Sequence, residues 1–408
     1  MIDTKLIKNI AYLGTIQGLS FILPLAMVPL LVAKLGIEYY GKYAFILAIV
    51  QYFVIIVDYG FSLSATKMIA IKRDDLERIN IIFWCVIFSK LTIFIVILIG
   101  LLGAKSLFIF EGSYLIAYFS VLGGVLFPIW LFQAKEMMST LAIFNMVGRL
   151  LAFLLLFVLM EYNASLDLAL YIHSLSSILP SLLAIAYLYR KKLIGIPRVD
   201  YIIFLSLIKE GGQIFISNLM STLYTNSVLV VLGLFYTSST VGYFSAADKI
   251  RVAVQAIISP VSQALYPRMS IAISKGESNK SELYILGGGL FFLLLFISII
   301  ISINSYELSS LLFTNNANEI SKYLTYLIFI PPVVAAANMF GLQILLPLGK
   351  IKEFRNTYII SSVFGIICLY FSISYFNVEF LPVTILIIEL SVLFQLFYYS
   401  LPFLRSEK

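Results

Sequence analysis

The chain has 408 residues, 61% of them hydrophobic and only 12% charged, with a mean hydropathy of +1.01. A soluble domain carries about twice that charged fraction, so composition excludes an ordinary water-soluble enzyme or binding module and makes lipid the solvent of its surface. The net charge of +7 and pI near 9.1 do not indicate nucleic acid, because the basic residues stand in short segments between apolar runs and not on one water-facing surface.

A bilayer core needs about 20 apolar residues per helix. Twelve such runs follow one another: roughly 9–33, 40–66, 79–103, 114–134, 140–160 and 167–189, then roughly 211–236, 241–267, 283–304, 323–346, 357–376 and 382–404. Their length predicts helices and not barrel strands, because each helix satisfies its own backbone. The expectation is an all-α integral membrane protein of about twelve transmembrane helices. Lys5 and Lys8 precede the first run as in a signal peptide. The run is too long for one and many similar runs follow, so it reads as a retained span. Cys85 and Cys368 both lie inside apolar runs, with neither metal-ligand spacing nor a disulfide framework.

Lysine and arginine in short loops set orientation. One set of loops and termini holds 20 of the 28 basic residues; the opposite set holds Lys34, Lys42, Lys105 and Lys322; Lys90, Arg149, Lys249 and Arg251 fall inside spans. This split puts both termini in the cytoplasm and requires an even number of spans. The longest outer loop is about Ser305–Lys322, which leaves no room for an extracytoplasmic domain.

The halves match without gaps at an offset of 201. Leu6-Ile7-Lys8 becomes Leu207-Ile208-Lys209, Ser20 becomes Ser221, Gly41 becomes Gly242, and Met68 becomes Met269. Six spans intervene, so the repeats run in the same direction, a known transporter device. The predicted organisation is a six-helix bundle over 1–190, a cytoplasmic linker and amphipathic segment over 191–210, and a second six-helix bundle over 211–408. A central cavity is expected between these two pseudo-symmetric bundles.

At about 100° per residue, polar stripes emerge on single helix faces. Ser245, Asp248, Gln255, Ser259 and Ser262 share a stripe in the eighth run, flanked by Lys249 and Arg251. Asn218, Ser221, Thr222 and Thr225 share one in the seventh; Gln51, Asp58 and Ser62 share one in the second; Gln17 and Ser20 lie in the first. Asp58 corresponds to Ser259 at the repeat offset. Lipid solvates none of these groups, so they should face the interior or a wet cavity, although small polar residues also serve simply to join helices.

The embedded ions carry more information, since each costs at least about 2.5–3.5 kcal/mol at mid-bilayer. Lys90, Arg149, Lys249 and Arg251 are the candidate substrate-binding cations, suited to a diphosphate. For Lys90 and Arg149 the alternative is a carboxylate on another helix. Asp58, Asp248 and Glu389 are candidates for a coupling proton or cation, or for structural pairing; Asp248 and Arg251 stand at i,i+3. Gln17, Gln51, Asn145, Asn218, Ser221, Thr225 and Gln255 are the expected polar cavity lining. His173 reads as a satisfied interior histidine.

The runs Pro29-Leu30-Leu31, Lys34-Leu35-Gly36, Tyr40-Gly41, Asp58 to Thr66, Pro128 to Met138, Gly242 to Arg251, Tyr266-Pro267-Arg268 and Asn338 to Gln343 together resemble the Wzx O-antigen flippases, in the polysaccharide transporter branch of the MOP superfamily. The resemblance covers essentially the whole chain. One departure is Ala134, where a glycine often follows the Phe-Gln pair. The resemblance implies twelve helices in two bundles around a V-shaped, cation-lined cavity, with Asp58, Lys90, Arg149 and Arg251 at polar or charged family positions. It implies a transporter and not an enzyme. The substrate implied is an undecaprenyl diphosphate-linked oligosaccharide repeat unit, moved from the cytoplasmic to the periplasmic leaflet of a bacterial inner membrane by alternating access. No cofactor is implied beyond H+ or Na+ coupling. The partners are that lipid and the bilayer, together with an O-antigen polymerase and a chain-length regulator; nucleic acid is not among them.

Two other readings compete. An O-antigen polymerase or other membrane glycosyltransferase would usually carry a substantial outer loop, which this chain lacks. A cation-coupled multidrug exporter of the same superfamily would favour an acidic or aromatic pocket, whereas four embedded bases face three embedded acids here. The chain carries no GxxxxGK[ST] loop for nucleotide phosphates.

Overall fold

The computed structural model describes residues 23–107, 111–162, 164–274 and 284–405, with side chains at all of these except 213, 217, 218, 220, 221, 224, 225, 264, 267, 268, 272 and 274. The described residues are almost wholly helical, with no strand among them. In chain order the helices are α1 (Leu23–Leu35), α2 (Ile37–Asp58), α3 (Phe61–Ile71), α4 (Leu76–Ser106), α5 (Gly112–Leu126), α6 (Ile129–Ala134), α7 (Met138–Tyr162), α8 (Leu166–Arg190) and α9 (Tyr201–Phe235). They continue with α10 (Ser238–Gln255), α11 (Ile258–Ser274), α12 (Gly289–Ile303), α13 (Ser305–Phe313), α14 (Ala317–Leu327), α15 (Ile330–Phe340), α16 (Ile351–Tyr375) and α17 (Leu381–Arg405).

Among the described residues, nine helices or joined helices are long and apolar enough to cross a bilayer. Each overlaps one of the twelve expected runs, but Ser305–Leu345 also takes in the stretch Ser305–Lys322 expected as the longest outer loop, which is largely helical. The run at 9–33 is described only from residue 23, as α1. The run at 211–236 is the later part of α9, whose first turns occupy the end of the segment expected as linker. The run at 241–267 is divided between α10 and α11. Many large apolar side chains stay exposed along these helices, among them Val96, Phe157, Phe292, Phe364 and Tyr398; lipid solvates them without cost.

Helix starts follow local chemistry. Asp75 accepts the Arg78 amide at the head of α4, Ser165 accepts that of Leu168 at α8, and Thr237 accepts that of Thr240 at α10. Two breaks matter most. Between α2 and α3, Tyr59 and Gly60 take φ of 46° and 77°. A Cβ on Gly60 would also lie 2.5 Å from the Gly211 carbonyl oxygen, so glycine is required there twice over. Between α10 and α11, the turn at Ala256 and Ile257 precedes Pro260, which has no amide hydrogen for the carbonyl four residues back. The Ala256 carbonyl accepts instead from Ser259. Both helix pairs start at equivalent places, Ile37 and Ser238, separated by the repeat length.

The chain divides into two compact units, 34–222 and 23–33 with 223–405. In the first, α2, α4 and α8 surround α5, and α3 lies on α6. One core of this unit joins Phe61, Ile69, Phe83, Trp130, Phe132 and Leu207. Small residues let backbones meet, as membrane helix packing demands. A Cβ on Gly123 of α5 would stand 2.5 Å from the Ser177 carbonyl carbon of α8, and Ser181 donates to the Gly123 carbonyl at 2.8 Å. Gly123→Ala is therefore expected to lower the melting temperature of the purified protein, at about 1–3 kcal/mol. Gly100→Ala, where the added methyl meets nothing within 4 Å, is the matched control and should melt as the native protein does. In the second unit, α15 and α17 pack together, as do α16 and α17, and α10 lies on α14.

Candidate functional site

The first unit holds an ion pair at the α2–α3 break. Lys90 of α4 is 1% exposed, and its Nζ donates to Asp58 Oδ1 at 2.7 Å and to Ser62 Oγ at 3.3 Å. Ser62 Oγ also donates to Asp58 Oδ1. The ammonium stands 4.4 Å from the centre of the Trp130 ring, a cation–π arrangement that strengthens where water is excluded. Thr66, one turn beyond Ser62, lies 3.3 Å from Gln133 Oε1. A substrate-binding candidate and a coupling-ion candidate thus meet each other across two helices. Lys90 presents almost no surface to a ligand, whereas the Asp58 side chain keeps 26% exposure.

The second unit holds a cavity of about 350 Å³. From α10 it receives Asp248, Lys249, Arg251 and Gln255; from α9, Asn226; from α16, Ser362; from α17, Glu389. Arg251 Nε donates to Asp248 Oδ1 at 2.6 Å, and its Nη1 donates to Gln255 Oε1. Two of its five N–H groups are so engaged. Among the described residues, Lys249 makes no ion pair or hydrogen bond. It lies about 16 Å along α10 from Ser238, in a helix whose surroundings are spanning segments. Its side chain is exposed and shares the cavity with the carboxylates of Asp248 and Glu389, so water or an anion can solvate its ammonium.

A second cavity, of about 550 Å³, continues along α11. Gln255 lines both. The stripe Asp248, Gln255, Ser259 and Ser262 thus runs from one cavity into the next, while Ser245 is buried above it.

The remaining candidates are dispersed. Arg149 and Asn145 are half-buried on α7, and Gln51 is exposed on α2. Gln17 and the side chains of Asn218, Ser221 and Thr225 lie outside the described residues. His173 stands edge-on to the Tyr43 ring, with its Nδ1 3.4 Å from the Tyr43 hydroxyl, an interior contact as expected. Cys85 is buried, Cys368 is half-buried, and both are free. Sequence reasoning did not single out Trp130, Gln263, Tyr266 and Asn338 as site residues, although all but Gln263 lie in the runs that carry the family resemblance. Trp130 carries no polar signal toward Lys90, and only the break after α10 brings Gln263 and Tyr266 onto the cavity wall.

Comparison with known proteins places this geometry in context. Residues 6–272 match the family model described as "Polysaccharide biosynthesis protein". A curated protein of Escherichia coli (strain K12), named "Putative O-antigen transporter", is 29% identical over 379 residues, covering 89% of each chain. An inward-facing multidrug resistance MATE family transporter of the MOP superfamily superposes with a TM-score of 0.74 at 17% identity, covering 94% of this chain and 93% of that one. The lipid II flippase MurJ, in an inward closed conformation, gives 0.73 at 14% identity, covering 96% and 86%. The fold is therefore that of MOP superfamily transporters.

Proposed function

The chain belongs to the polysaccharide biosynthesis protein family, and on that premise we propose that it is a flippase for undecaprenyl diphosphate-linked O-antigen repeat units. The observation that carries the reading is Lys249, exposed and without an ion pair among the described residues, on the wall of an ion-lined cavity. A diphosphate supplies the anion that this position lacks. Arg251 keeps N–H groups beyond those given to Asp248 and Gln255, and its planar fork matches phosphate oxygens. The relative named as an O-antigen transporter supports the glycan class. The flippase name of a structural neighbour is consistent with a lipid cargo.

In this mechanism the diphosphate enters from the cytoplasmic leaflet of the inner membrane and docks on Lys249 and Arg251. The polyprenyl tail stays in the bilayer. Alternating access then exposes the head group to the periplasm, and both termini remain cytoplasmic. No bond is made or broken, so the protein acts as a transporter and not as an enzyme. Glu389 and Asp248 share the cavity with the two cations. A proton or sodium ion taken by a carboxylate there leaves the site more positive, which favours loading by an anion. Asp58 is the corresponding candidate in the first unit.

The test is reconstitution of the purified protein in proteoliposomes with labelled lipid-linked oligosaccharide. Glycan should become accessible on the opposite face without nucleotide, faster with an imposed proton or sodium gradient than without. Lys249→Ala should slow the transfer about tenfold or more, the weight of one charge-assisted contact. Absence of transfer by the native protein would refute the reading.

A further inference from the structure

The 201-residue repeat places a second, chemically different site at the α10–α11 break. Asp58 and Ser62 correspond to Ser259 and Gln263. The hydrogen bonds correspond, although the breaks lie four residues apart in the repeat: Ser62 Oγ donates to Asp58 Oδ1 across the α2–α3 break, and Gln263 Nε2 donates to Ser259 Oγ at 2.9 Å within the first turns of α11. In the first unit the space beside this pair is filled by the Lys90 stem and the Trp130 ring. In the second unit it opens into the cavity of about 550 Å³.

That cavity is lined by Gln255, Ser259, Ser262, Gln263, Tyr266 and Asn338, with no charged side chain among the described residues of its wall. Amides and hydroxyls both donate and accept hydrogen bonds, which is what the ring of hydroxyls on a sugar needs. Ile258, Val334 and Leu342 also line it and offer an apolar surface to sugar C–H faces. Gln343, 2% exposed, donates to the Ser262 carbonyl at 3.2 Å and so ties α11 to the segment after α15. Among the described residues an ion finds no counter-charge here; Lys249 and Arg251 line the adjoining cavity.

We propose that this neutral cavity is a sugar subsite, which holds a pyranose of the transported glycan through its hydroxyl and amide groups. The inference rests on the flippase reading. Gln255, common to both cavities, stands where a diphosphate on Arg251 passes into the first sugar of the same molecule. The repeat thus supplies a closed ionic junction in one unit and an open neutral pocket in the other.

Equilibrium binding to the purified protein in nanodiscs tests it, with undecaprenyl diphosphate carrying one N-acetylglucosamine and the same lipid without sugar as probes. The native protein should bind the sugar-bearing lipid about tenfold more tightly, the worth of one or two hydrogen bonds. Asn338→Leu and Gln263→Leu should each reduce that preference about threefold to tenfold, with binding of the sugar-free lipid unchanged, which also shows that the variants are folded. Native protein that binds both lipids equally would overturn the subsite and leave the flippase reading standing. Equal loss of both lipids in the variants would assign the cavity to the lipid and overturn the subsite as well. Native protein that binds neither lipid would overturn the flippase reading itself.

Discussion

Arg251→Ala is expected to reduce lipid-linked glycan transport by about a hundredfold, through loss of contacts to a diphosphate worth roughly 1.5–3 kcal/mol each. It should also reduce the amount of folded protein. Arg251 is the partner of Asp248 at 2.6 Å, with side chains only 16% and 21% exposed. Removing one member of such a pair leaves a carboxylate in surroundings that do not solvate it, a loss of about 3–5 kcal/mol for a fully buried pair and less at this exposure. The two effects separate in the double variant Arg251→Ala/Asp248→Asn. Immunoblots of membranes should show abundance restored, because no orphan charge is left, while transport stays low. Native transport by the double variant would mean that Arg251 serves only to neutralise Asp248.

The second large effect is on stability. Lys90→Met removes the ammonium from a site where it is 1% exposed and leaves Asp58 with Ser62 alone. The expected loss is up to about 3–5 kcal/mol, the figure for a fully buried pair, reduced by the 26% exposure of Asp58 and read as a drop in melting temperature in detergent. The cation–π contact to Trp130 is lost with it. Lys90→Met/Asp58→Asn removes both charges and should recover most of the loss, since a neutral pair of similar volume packs in place of the ions. Transport by the recovered double variant should no longer respond to an imposed ion gradient. A normal gradient response would assign Asp58 a purely structural role.

These pairs show which parts of the site are legible in a sequence. Asp248 and Arg251 share one helix at i,i+3, so their pairing follows from helical geometry. The stripe through Gln255, Ser259 and Ser262 follows from the same periodicity, even though a two-residue turn interrupts the helix. Lys90 and Asp58 lie on different helices, and no periodicity encodes the register between helices. Their meeting is a tertiary fact, as is the Trp130 ring beneath the ammonium. The helix class and most spans were legible because lipid imposes one rule on every residue it touches. The α2–α3 break had a signal in Gly60, and the α10–α11 break had one in Pro260. What these breaks do is visible only with coordinates: one is sealed by an ion pair, and the other opens to a cavity.

The contrast between the units also explains why the embedded charges are not equivalent. Lys90 is committed to Asp58 and Trp130, so its contribution to the fold is direct. Among the described residues Lys249 has no such partner, and Arg251 keeps donors beyond those given to Asp248 and Gln255. The proposed anion site therefore lies on α10, in the second unit.

The most direct measurement is native mass spectrometry of the purified protein with undecaprenyl diphosphate in competition with phosphatidylglycerol, for the native chain and for Lys249→Ala. The native chain should retain the diphosphate lipid selectively, and the variant should lose that selectivity while keeping its ordinary phospholipid adducts. Equal retention of the diphosphate lipid by both proteins would contradict a cargo site at the α10 cavity.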